Sequence, residues 1–278
     1  MGDVGLAAAR TTVVEAPRAR GARTAAASTA RGLGPPVFGL VAFFVAWELL
    51  VRVTGTPTFV VPTPTATFER LWEQLPSLSY ELTYTLAAAA IGLAIGLAVG
   101  MTGAVIMAHW KLLERSLFPL AVILKLTPFV AIAPLLVVVL GYDLKPKIVP
   151  AALITFFPVL VNCITGLRAA DPLAVEFFQS VGASRWETLV RLRWQSSLPY
   201  LFAALKVAVN LSMIGAIVGE FFGAEYGIGK IINLTALRLD MRSMFAAIML
   251  LAVTGVVLTV ATNLLERRVL FWHESVRT

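Results

Sequence analysis

Long apolar runs separated by short polar or proline-bearing breaks set the rhythm of this chain. Runs long enough to form a membrane-crossing helix fall at residues 37–53, 82–108, 117–140, 147–167, 199–221 and 244–264. A bilayer core about 30 Å thick needs roughly 20 mostly apolar helical residues per crossing, so the pattern predicts an all-α membrane protein with about six transmembrane helices. Between the first two runs Pro57, Pro62 and Pro64 stop a helix, and Phe68, Leu71, Trp72 and Leu75 then fall on one helical face. That spacing predicts a short connecting helix at the membrane interface. Gly92, Gly96 and Gly100 recur every fourth residue in the second run and form a smooth stripe that lets another helix approach. Pro128, Pro134, Pro150 and Pro158 mark the third and fourth runs; bent helices around a pathway and a merely kinked bundle both fit them.

Composition agrees with lipid as the solvent. Apolar residues make up 58% and charged residues 14% of the 278, against roughly 45–50% and 25% in soluble domains. Mean hydropathy is +0.83. The net charge of +7 does not point to nucleic acid, because the cations collect beside the apolar runs. With both termini on one side, that side holds Arg10, Arg18, Arg20, Arg23, Arg31, Lys111, Arg115, Arg168, Arg185, Arg191, Arg193, Arg267, Arg268 and Arg277. The other holds Arg70, Lys145, Lys147, Lys230, Arg238 and Arg242, with Arg52 at a span end. The positive-inside rule makes the first side, and both termini, cytoplasmic. Residues 1–34, rich in Ala, Arg, Thr and Gly without apolar periodicity, read as a disordered cytoplasmic tail, and residues 35–278 as one transmembrane domain. The run at 37–53 has no small-x-small cleavage site after it, which favours an uncleaved first span over a signal peptide.

Several chemistries find no residues to support them. His109 and His273 are isolated, no metal-binding or nucleophile-elbow pattern occurs, and the lone Cys163 forms no intrachain disulfide. No catalytic, cofactor or metal site is expected. Gly223–Ile231 imitates a phosphate-binding loop but has Ala224 where the first Gly belongs and Ile231 where Ser or Thr belongs. Any ATP is therefore expected on another chain. Glu48, Lys125 and Lys206 read as snorkelling or interfacial side chains. Glu220, near the outer end of the fifth run, fits either the mouth of a pathway or a structural hydrogen bond.

The segment between runs four and five carries the densest local signals. Asp171 is a good N-cap and Pro172 a good first helical residue. Gly182 suits the left-handed position that ends a helix, and Ser184 with Glu187 has the spacing of a capping box. Helix, glycine, helix is the prediction for residues 168–198, a structured cytoplasmic loop fit to dock a partner.

Glu176, Phe177, Phe178, Gln179, Ser180, Val181, Gly182, Ala183, Ser184 and Arg185, followed by Leu198 and Pro199, resemble the Glu-Ala-Ala loop of binding-protein-dependent ABC importer permeases. The resemblance extends over about residues 37–278, through Trp47-Glu48, Val61-Pro62-Thr63-Pro64, Gly219-Glu220-Phe221 and Gly227-Ile228-Gly229. It implies the type I permease architecture in a prokaryotic inner membrane. It also implies a second copy of the chain, ATPase subunits that hold ATP and Mg, an extracytoplasmic solute-binding protein, and lipid around the spans. Glu176, Phe177, Phe178, Gly182, Ala183, Ser184, Arg185, Leu198 and Pro199 become the residues that couple to the ATPase. Phe177 and Phe178 replace the family's two alanines, and Trp194-Gln195 replaces its usual Leu-Pro. Asn162, Asn210, Ser212, Met213 and Glu220 are candidate pathway residues. The cargo implied is a small polar solute such as a thiamine pyrimidine precursor or riboflavin, with sulfonate, taurine or nitrate as the alternative. An ion-coupled transporter is the remote rival and lacks the expected inverted repeat or midplane polar pair.

Overall fold

The computed structural model describes the backbone of residues 21–271 and the side chains from Gly34 onward. The first 20 residues of the expected tail, His273 and Arg277 lie outside the described residues. The helices are α1 Gly21–Thr54, α2 Pro64–His109, α3 Lys111–Leu126, α4 Phe129–Leu140, α5 Lys145–Arg168, α6 Pro172–Ser180, α7 Arg185–Thr188, α8 Trp194–Glu220, α9 Ile228–Leu237 and α10 Met241–Val269. A π-helical turn, Leu189–Arg193, joins α7 to α8, and no strand occurs among the described residues. The chain divides after Thr54 into two units.

Among the described residues, five helices are each long and apolar enough to cross a membrane: α1 from Gly34, α2, α5, the continuous Arg185–Glu220 segment, and α10. The expected span at 117–140 is a broken one, α3 and α4 bent by 93° to each other, and makes a sixth crossing when the pair is taken as one span. Pro128 explains the break: its ring pushes the preceding residue out of helical geometry, and Thr127 is extended at φ −70° and ψ 127°. The other prolines of this region, Pro134, Pro150 and Pro158, lie inside α4 and α5.

Two further expectations change. The connector at 65–75 is not a separate helix but the first turns of the 46-residue α2, which starts with Thr63 as N-cap and Pro64 in its first turn. At 1.5 Å per residue α2 is about 69 Å long, more than twice a bilayer core, and its N-terminal half carries Glu69, Arg70, Glu73 and Glu81. At the start of the chain α1 begins at Gly21, so the backbone of residues 21–34, assigned to the tail, is helical.

Within residues 55–278 the bundle is built around α5, which packs closely against both α2 and α8. The glycine stripe of α2 faces α5: a Cβ on Gly92 would lie 2.4 Å from Ala151 Cβ, on Gly96 2.0 Å from Thr155 Oγ1, and on Gly100 2.9 Å from Val159 Cγ1. A second stripe on α8 does the same from the other side, where a Cβ on Gly215 would lie 2.5 Å from Ala151 Cα and one on Gly219 2.6 Å from Lys147 Cα. Lipid tails are as apolar as leucine, so such close contact, rather than apolar burial, holds spans together. Thr155, fully buried in this seam, spends its hydroxyl on the carbonyl of Ala151 in its own helix. Met107, Leu160, Ile164, Leu167 and Leu189 form a larger apolar core toward the α6 end. No buried side-chain polar atom lacks a partner among the described residues.

Candidate functional site

The loop at the α6 end is specified turn by turn. The Asp171 carboxylate accepts from Leu173 N at 3.0 Å and caps α6. The helix closes with Ala183 N donating to Phe178 O and Gly182 N to Gln179 O, at 2.9 and 3.0 Å. This is the paired closing pattern that needs a left-handed residue, and Gly182 supplies it at φ +78°. Ser184 Oγ then accepts from Glu187 N while the Glu187 carboxylate accepts from Ser184 N at 2.8 Å, a complete capping box. The second helix is not a separate piece of loop: from Arg185 it runs through the π-helical turn into α8. A π-helical turn often marks a functional position within a helix.

This built loop exposes apolar side chains. Leu173, Phe177 and Val181, spaced by four, are 72%, 63% and 64% exposed, and Trp186 is 66% exposed. Large apolar side chains left exposed together on a loop are a surface suited to meeting another protein. Glu176, Gly182, Ser184 and Arg185 are exposed as well, whereas Phe178 and Ala183 are half-buried. Only one of the two phenylalanines therefore enlarges the outward surface. Leu198 and Pro199 are half-buried inside α8 and do not share the loop's exposed face.

The opposite end of the bundle is polar and closed. Glu220, 1% exposed at the end of α8, accepts from Thr85 Oγ1 of α2 at 2.9 and 3.1 Å and from Gly229 N of α9 at 2.8 Å. Ile228 N donates to Thr85 Oγ1 at 3.0 Å, and Gly227 N donates to the Glu81 carboxylate at 2.6 Å. Two carboxylates and the Thr85 hydroxyl thus take up free N–H groups at the start of α9, where the helix dipole favours negative charge. Lys147 of α5, 3% exposed, balances them and donates to the Tyr226 carbonyl. A side chain on Gly227, at φ +130°, would place its Cβ 2.2 Å from the Glu220 carboxylate. Of the two roles open to Glu220, the structural hydrogen bond is the one this geometry gives.

The other expected pathway residues do not converge on it. Asn162 donates to the Pro158 carbonyl within α5 at 2.8 Å, and Asn210 to Thr259 Oγ1 of α10 at 2.9 Å. Ser212 and Met213 line an apolar cleft of about 240 Å³ between α2, α8 and α10. Among the snorkelling candidates, Lys206 pairs with Glu266 of α10 at 2.5 Å, Glu48 with Arg52 at 2.6 Å, and Lys125 lies 4.8 Å over the Phe157 ring. The sequence did not single out Thr85, Glu81 or Tyr226, and offered Lys147 only as an outer-side charge. The Gly-Glu-Phe and Gly-Ile-Gly phrases held the signal, since both supply this network.

A bundle of spans tied by small-residue seams, with a structured apolar-tipped loop at one end, defines a polytopic membrane permease. The chain belongs to the family described as binding-protein-dependent transport system inner membrane component, which it matches over residues 92–271, and it is an ABC importer permease. It is 34% identical over 245 residues to the riboflavin transport system permease protein RibX of Chloroflexus aurantiacus, covering 87% of this chain and 91% of that one. It is 33% identical to the formylaminopyrimidine transport permease protein ThiX of Halalkalibacterium halodurans, covering 88% and 98%. An inward-facing MetNI methionine ABC transporter shares the fold at a TM-score of 0.56 and 22% identity, covering 75% of this chain and 98% of that chain.

Proposed function

We propose that this permease works as a pair of identical chains with two ATPase subunits, coupled to them through α6 and α7, and receives its solute from an extracytoplasmic binding protein. The observation that carries this reading is the exposed Leu173, Phe177, Val181 and Trp186 surface on a loop locked by a cap at each turn. A rigid apolar knob transmits movement that a floppy loop would absorb. ATP and Mg belong to the partner ATPase, whose closure on nucleotide pushes this knob and, through the unbroken Arg185–Glu220 segment, reaches the far end of the bundle. The excess of Arg and Lys on the α6 side supports a cytoplasmic position for that loop and for both termini.

The solute class follows the relatives. A small heterocyclic vitamin or precursor, of the riboflavin or formylaminopyrimidine kind, is the proposed cargo. The putative aliphatic sulfonates transport permease protein SsuC of Escherichia coli, 30% identical over 246 residues, supports sulfonates as the second candidate.

Site-directed cross-linking tests the coupling assignment. Cys163 is buried, so a thiol introduced by Phe177→Cys is the accessible one. It should cross-link to the ATPase subunit of the purified transporter and label only from the cytoplasm, while a reporter inserted near Asp143 should sit outside. Efficient transport without any cross-link from position 177 would refute the docking surface, and the reverse labelling would refute the orientation.

A further inference from the structure

A second feature lies at the α6 end. The end of α2, the start of α3, the end of α5 and the π-helical turn border an open cleft of about 790 Å³ lined by Lys111, Glu114, Arg115, Phe118, Arg168 and Arg193. That volume is within the range of a small-molecule site. Glu114 is engaged by Arg168 at 2.5 Å. Lys111, Arg115 and Arg193 have no carboxylate within 4 Å among the described residues. Three like charges converging on one concave surface focus a positive potential that calls for an anion.

The surroundings say which anion. Trp110, at the corner where α2 ends, is 58% exposed, a residue type that collects at membrane interfaces. On α3 itself, Leu112, Leu117, Leu120 and Ile123 are 77%, 40%, 54% and 60% exposed, on the same helix as the cleft-lining Lys111, Arg115 and Phe118. Cations and apolar side chains therefore adjoin at the mouth of one span. A free phosphate would use the cations and leave the leucines without purpose; a phospholipid uses both. Basic pockets between spans at the cytoplasmic face suit anionic headgroups.

We propose that this cleft binds the phosphodiester headgroup of an anionic phospholipid, with its acyl chains laid along the exposed leucine face of α3. The site depends on the chain spanning a membrane and not on the coupling role of α6, so the two can fail separately.

The test is lipid retention by the purified full-length permease, measured by native mass spectrometry with phosphatidylglycerol, cardiolipin and phosphatidylethanolamine added in turn. The anionic lipids should be retained over the zwitterionic one. Each basic side chain near an anionic surface is worth roughly a fivefold factor, so the Lys111→Ala, Arg115→Ala, Arg193→Ala variant should bind them about a hundredfold more weakly. The charge-conserving Lys111→Arg, Arg115→Lys, Arg193→Lys variant should keep them. A photoactivatable phosphatidylglycerol should label α3 of the wild-type chain, which decides the matter even if the alanine variant does not fold. Equal retention of phosphatidylethanolamine, undiminished binding in a folded alanine variant, labelling elsewhere, or displacement of the lipid by millimolar inorganic phosphate would each overturn the proposal.

Discussion

The two ends of the bundle solve opposite problems. At the α6 end, bonds between residues a few positions apart fix a short helix and its turn, and the apolar side chains stay outside. At the Glu220 end, a carboxylate is buried and its partners arrive from α2, α5 and α9. The first arrangement can meet a partner because its folding does not consume its surface. The second holds spans in register, and its buried carboxylate is spent on partners within the chain. Substitutions at the closed end should therefore damage the fold, and substitutions at the open end should damage coupling alone.

Glu220→Ala should have the largest effect on stability. It removes the acceptor for Thr85 and Gly229 and leaves the buried Lys147 less compensated, a change on the order of 3–5 kcal/mol. Thermal unfolding in detergent and monodispersity on gel filtration would show it. A variant as stable as the wild type would mean that the network is dispensable and the contrast between the ends is false.

Gly96→Leu comes next. The new side chain meets Thr155 where even a Cβ has only 2.0 Å, and overpacking of this kind costs about 1–3 kcal/mol unless α2 and α5 separate. Separation of the seam would appear as loss of assembly and transport together. Unchanged behaviour of both would mean that the seam tolerates side chains and does not set the spacing of the helices.

How far the sequence disclosed these features follows from the range of the interactions. Asp171, Gly182, Ser184 and Glu187 were legible because each acts on a neighbour within a few residues, and all four occupy the expected positions. The α2 glycine stripe was legible by its spacing; Gly215 and Gly219 have the same spacing on α8 and could have been found by the same rule. Thr85, Glu81 and Lys147 were not legible, because nothing local distinguishes them from ordinary span-edge residues and Lys147 counted as an outer-loop charge. Their meaning comes from partners far along the chain. Helix ends failed where local rules compete with packing: one interior proline, Pro76, does not stop α2, while Pro128 ends α3.

A smaller effect separates the polar surface of the closed end from its buried network. Partial burial raises the Asp240 carboxyl, but hydrogen bonds from Ser243 and the nearby Arg70 outweigh it and hold the group below the ordinary carboxylate range. A depressed folded-state value contributes stability above the unfolded value of about 3.9, and this is lost as pH falls through the folded value. Asp240→Asn should flatten that acid-side loss, by less than about 1 kcal/mol because the group is partly exposed. An unchanged acid unfolding profile would show that this cap is not linked to stability.

On the proposed function, the α6–α7 turn couples the permease to its ATPase without supporting the fold. Gly182 is the residue to change, since it sits at φ +78° with nothing within 4 Å of a Cβ, so a valine there meets backbone strain and no clash. The measurement is substrate-stimulated ATP hydrolysis by the assembled transporter carrying Gly182→Val, with thermal unfolding of the isolated permease recorded alongside. Stimulation should be lost or nearly so, and the unfolding temperature should stay within a few degrees of wild type. Full stimulation in the variant would contradict this coupling role.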